Sequence, residues 1–95
     1  MNSILGSWNF EVTYSDFQSH ETTFNCEGEF LIRNSKLMVH HCINEFLEVI
    51  VKKDGAVYSH SNKLIGLIEN GSCLIIDNNP SEKSILTVTI KGEKL

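Results

Sequence analysis

Trp8, Phe10, Val12 and Tyr14 recur at every second position near the start of the chain, with Asn9, Glu11, Thr13 and Ser15 between them. An extended strand sends successive side chains to opposite faces, so this spacing gives one bulky apolar face and one wet face. The stretch from Gly6 to Tyr14 therefore reads as a half-buried strand. Whatever else folds must supply a surface that covers those aromatic rings.

The following segments repeat the pattern between turn signals. Thr22, Phe24, Cys26, Gly28, Phe30 and Ile32 share one face of a second run, and Thr23, Asn25, Glu27, Glu29 and Arg33 the other. Gly28 inside that run predicts a bulge or bend. Asn34-Ser35 stands at hairpin spacing before a third strand over 36–42, since Asn tolerates the positive φ of the tight primed turns. Ile43-Asn44-Glu45 is a short connection to a fourth strand over 46–53. Asp54-Gly55 predicts a two-residue hairpin, followed by a short strand over 56–60, a turn at Ser61-Asn62-Lys63 and a strand over 64–69. Asn70-Gly71 is a second strong hairpin signal, leading into a strand over 72–77. A loop over 78–83 holds the single Pro, and a last strand covers 84–91.

Eight strands at hairpin distance, with no helical periodicity long enough for a crossover, predict an all-β, antiparallel, up-and-down meander. Its apolar face is buried either between two sheets or by closure into a barrel. Closure is favoured because the first and last strands are both strong and closing removes both edges. Ninety-five residues make a single domain, 1–95.

Composition excludes some functions. A net charge of −4 and a single Arg, Arg33, argue against a nucleic-acid groove. No apolar run approaches the roughly 18 residues of a membrane span, and the first residues lack a basic, then apolar, leader pattern. The expectation is a soluble cytoplasmic protein with no membrane partner. Cys26, Cys42 and Cys73 are odd in number and widely spaced, so at least one thiol is free and a disulfide scaffold is not expected. They read as small buried hydrophobes.

His40, His41 and Cys42 form the most conspicuous polar cluster. His20, Cys26 and His60 are the nearest further ligands by type, but no recognised zinc spacing joins them, so no metal is assigned. The simpler reading is a strand whose dry side carries Leu37, Val39 and His41. No strained turn or oxyanion donors surround Cys42, and Glu27 and Glu29 fit a solvated outer face, so no catalytic residue and no cofactor is assigned.

Apolar residues on both faces of the late strands carry more information. Leu47, Val49 and Val51 oppose Phe46 and Ile50, Leu74 and Ile76 oppose Cys73 and Ile75, and Leu31 interrupts a polar face. A barrel buries only its inner face, so Leu31, Leu47, Val49, Val51, Leu74 and Ile76 are expected to meet another subunit or another protein, with Glu45 and Glu48 beside them. A one-residue slip in register would exchange the faces and remove the need. Trp8, Phe10, Tyr14, Phe24 and Phe30 are expected to fill the interior and floor, since eight strands leave room for side chains or one small ligand.

Gly6-x-Trp8 at the head of the first strand resembles the opening motif of the calycins, the lipocalin and fatty-acid-binding-protein superfamily. The resemblance implies that Trp8 closes the barrel floor with a basic side chain over it, Lys91 or Lys94. The resemblance spans three residues, and the helix that follows the lipocalin barrel has no counterpart. Glu27-Gly28-Glu29-Phe30-Leu31-Ile32-Arg33-Asn34, with Leu86-Thr87 and Lys91-Gly92-Glu93-Lys94-Leu95, is similar to small lipocalin-like regulators of bacterial virulence genes, the repressor of the enterocyte-effacement locus regulators among them. That family implies a dimer that binds an activator protein through an acidic loop. Here no run of consecutive acids stands for the loop, and Glu45 and Glu48 come nearest. The function expected is that of a non-enzymatic regulator, inhibitor or adaptor, with a carrier of a small apolar ligand as the alternative.

Overall fold

The structure is a computed structural model that describes residues 4–42, 46–78, 80 and 84–95. Its strands are β1 (Gly6–Asp16), β2 (Glu21–Arg33), β3 (Lys36–His40), β4 (Phe46–Val51), β5 (Ala56–Ser59), β6 (Leu64–Glu69), β7 (Ser72–Asp77) and β8 (Ile85–Lys94). Each pairs antiparallel with the next, and β8 returns to β1 along a ladder from Trp8↔Lys94 to Asp16↔Ile85. The meander is a closed barrel. That last ladder excludes the sandwich.

The hairpins are of two kinds. Asn34-Ser35 and Asn70-Gly71 are two-residue turns in which both residues have positive φ (54° and 65°; 51° and 78°), as a turn matched to the strand twist requires. The loops Phe17-Gln18-Ser19, Lys53-Asp54-Gly55 and His60-Ser61-Asn62 share a different design. In each, the last loop residue is left-handed (Ser19 65°, Gly55 89°, Asn62 67°), and its N–H donates to the carbonyl of the residue before the loop, at 3.2, 2.9 and 2.9 Å respectively. The two-residue turn expected at Asp54-Gly55 is therefore a three-residue loop. Only Gly55 takes a positive φ there, whereas the primed turn needs one at both positions.

Trp8, Phe10, Val12, Phe30, Val39, Val57, Ile75, Val88 and Ile90 are almost completely buried and fill the barrel. Trp8, Phe10 and Phe30 contact one another at ring separations of 5.0 to 6.2 Å. The Phe10 ring lies between two glycines: a Cβ on Gly28 would stand 2.8 Å from it, and one on Gly92 2.6 Å. No bulge occurs at Gly28, because the β1–β2 register runs unbroken from Gly6↔Phe30 to Ser15↔Glu21. Gly28 is required by close approach, the Phe10 ring on one side and the His40 carbonyl on the other. The irregularities lie instead at Ser15/Asp16 against β8 and Val57/Tyr58 against β6.

At the floor, Trp8 Nε1 donates to the Ile4 carbonyl at 2.8 Å, and the Leu95 N–H to the Ser7 carbonyl at 3.0 Å. Lys94 is Trp8's partner in register and its Nζ lies against Gly6. Of the two basic residues expected near the floor, Lys94 is in register with Trp8, and Lys91 faces outward, paired with Glu11 and Leu74.

Candidate interaction surface

Register decides what each strand shows to solvent. Val39 pairs with Leu47 and is fully buried, which sets Leu47, Val49 and Val51 on the inner side of β4. Val49 is in the core, and Leu47 and Val51 pack against it. These three were expected outside, so the faces of β4 are exchanged: Phe46, Glu48 and Ile50 point outward. Both faces of β4 are apolar, and alternation alone does not say which is in. Phe24 is also corrected. It lies on the inner face opposite Val12 but beyond the closed part of the barrel, 49% exposed at the mouth, with its ring edge-on to Tyr14 at 5.7 Å.

Leu74 and Ile76 do lie on the outer face, 43% and 37% exposed. They belong to a larger apolar patch. Ile50, Tyr58 and Leu64 form one row across β4, β5 and β6, and Ala56, Leu67 and Leu74 the next across β5, β6 and β7. Leu64 and Leu67 are 59% and 45% exposed, and a shallow depression runs between β6 and β7 over Gly66. Leu31 is half-buried beside Met38, and Glu48 pairs with Lys36 at 3.5 Å. Glu45 lies outside the described residues.

A second feature occupies the outer face of β2 to β5. The His40 ring stacks on Phe46 at 4.4 Å with 5° between planes, and the Arg33 guanidinium carbon lies 4.3 Å from the centre of the same ring. Lys52 Nζ sits 5.4 Å over the Tyr58 ring. Sequence reading missed this set because Arg33, His40 and Phe46 lie on three strands and only register brings them together.

Cys26 and Cys42 form a disulfide, with Cα atoms 5.7 Å apart, against the expectation of small buried hydrophobes and no disulfide scaffold. The β2–β3 ladder ends at Glu29↔His40, and the bond joins the two chains beyond it. Cys42 thus has no thiol for nucleophilic chemistry. Cys73 is free and buried, and desolvation pushes its thiol up to about 12 despite a hydrogen bond with the Gly92 backbone. His41 is buried on the inner side with Val39, while His40 faces out. Among the described residues, no group of three His, Cys, Asp or Glu is placed to hold a metal ion.

The chain matches no family model, no curated protein and no solved structure.

Proposed function

We propose that this protein is a non-enzymatic, lipocalin-like barrel that works through protein contacts, as a small regulator, inhibitor or adaptor, and that it pairs with a second copy through the outer face of β6 and β7. The observation that carries the reading is the exposed row Leu64, Leu67, Leu74 and Ile76 on the outside of a barrel whose inside is already filled. A contiguous apolar surface of this kind marks an association site far more often than isolated exposed side chains do. The Cys26–Cys42 bond is of the sort that persists in oxidising compartments, which weighs against the cytoplasmic setting suggested by sequence.

The carrier reading draws on Gly6, Trp8 and Lys94 at the floor. Against it, the depression at the mouth, lined by Leu47, Ser59, His60, Lys63 and Ile65, holds about 140 Å³, below the roughly 300 Å³ at which small-molecule pockets begin. Wider concavities lie on the surface: one on the outer wall over Gly92, one beneath the floor, and the depression over Gly66.

Light scattering on the eluting peak tests the pairing. Wild type is expected at twice the chain mass, and the double variant Leu67→Glu, Leu74→Glu at the chain mass with an unchanged circular dichroism spectrum. A wild type that stays monomeric at high concentration overturns the pairing.

A further inference from the structure

We infer that the outer face of β3 to β5 is a docking surface for an acidic, apolar-studded segment of a partner protein. The inference deepens the reading that the barrel acts through protein contacts and names a second surface, which adjoins the β6–β7 face along the row Ile50, Tyr58 and Leu64.

Charge is the first argument. Arg33, Lys36 and Lys52 are three of the chain's eight Lys and Arg, on a molecule of net charge −4. They come to one end of this face: Arg33 pairs with Lys36 at the start of β3, and Lys52 follows directly on the end of β4, while Lys53 lines the groove beneath the floor. Glu48 is paired with Lys36, and the Asp54 carboxylate accepts the Ala56 N–H at 3.0 Å. Arg33 faces no carboxylate within ion-pair distance among the described residues. The β1–β2 wall is opposite in sign, with Glu11, Glu27 and Glu29 outward.

Pre-organisation is the second. The Arg33 guanidinium is held over the Phe46 ring, its carbon 4.3 Å from the ring centre, and its N–H donors are of the kind that match a carboxylate. Lys52 Nζ is held 5.4 Å over the Tyr58 ring. Holding long cationic side chains in place lowers the entropy lost when they grip a ligand. Between these cations Ile50 is exposed and offers an apolar contact. Aromatic and Arg side chains of this kind are what interface hot spots are made of.

The chemistry favours carboxylates over nucleic acid. Base recognition on a strand face needs open aromatic rings, and the Phe46 ring is already engaged by His40 and Arg33.

The test uses three fluorescein-labelled probes of equal length: a peptide of alternating Glu or Asp with Leu or Phe, the same peptide with Lys for each acid, and oligothymidylate. The acidic peptide is expected to raise anisotropy saturably, to lose binding at about 1 M salt, where screening reaches about 3 Å, and to shift the amide signals of β3 to β5. Arg33→Met with Lys52→Met is expected to weaken it at least tenfold. Lys36→Gln with Lys52→Gln, at exposed positions, serves if the first pair perturbs the fold and is expected to weaken it threefold or more. No saturable binding of the acidic peptide, equal affinity in folded variants, shifts confined to β6 and β7, or tighter binding of the basic peptide or oligothymidylate each overturns the inference. Light scattering in the same buffer keeps this outcome separate from self-pairing, since Leu67→Glu, Leu74→Glu is expected to retain the peptide site.

Discussion

Strands β1, β2 and β8 run for 11, 13 and 10 residues, whereas β3 to β7 run for four to six. The long strands bring Trp8, Phe10 and Phe30 to the inside and Thr, Asn and Glu side chains to the outside, with Thr13 and Thr23 hydroxyls 3.0 Å apart. The short strands bring aliphatic Val39, Val49, Val57 and Ile75 inside, and an apolar and cationic surface outside. Where ladders are long, main-chain pairing and a dense aromatic core hold the wall, and its exterior is left to water. Among the described residues, the β3–β4 and β4–β5 ladders run from Met38↔Glu48 to His40↔Phe46 and from Val49↔Ser59 to Val51↔Val57. Short ladders are weakly stable by themselves, and it is on these strands that the surface suited to partners lies.

The largest effect expected from that contrast is at Phe10. Phe10→Ala removes the ring between Gly28 and Gly92, neither of which has a side chain to fill the gap, and should cost about 3–5 kcal/mol in urea unfolding. Ile75→Ala, in the short-strand wall, should cost less, within about 2–5 kcal/mol. Equal losses would erase the division between the walls.

Next comes the bond at the seam between them. Cys26 and Cys42 are 16 residues apart and link long β2 to the chain leaving short β3. Closing a loop of about 15 residues stabilises by about 3 kcal/mol on the chain-entropy account. Replacing both by Ala is expected to lower stability by that order. A variant as stable as wild type would show that the β2–β3 ladder suffices.

The smallest effect is alkaline. Burial disfavours the Cys73 thiolate and pushes the thiol up from an ordinary 9.0 to about 12 in the fold. The unfolded chain releases that proton first, so stability is full below pH 9.0 and declines as pH rises toward about 12. Cys73→Ala should flatten this decline when unfolding midpoints are compared across that range. An unchanged slope would show that other groups set it.

Alternation and turn chemistry made the eight strands and their meander legible in the sequence. The positions of Asn34-Ser35 and Asn70-Gly71 show why: their backbone demands are local and few residues meet them. What the sequence withheld depends on pairing between strands. It did not reveal that Gly28 yields to Phe10, that Cys26 meets Cys42, or that β4 turns Leu47, Val49 and Val51 inward. Of the outer surface, Leu74 and Ile76 were legible. The stack of His40, Phe46 and Arg33 was not, since its members are separated in the chain and no single strand's pattern contains them.

Closure of the ring has a consequence for how specificity can change. With β8 bonded to β1, each strand of the closed part of the barrel has a neighbour on both sides, and a partner docking there recognises side chains instead of joining a main-chain row. Those side chains occupy alternate positions from the ones that pack the interior. The outward positions of β3 to β7 can therefore be rewritten from one partner to another while the inward positions, and with them the barrel, stay as they are.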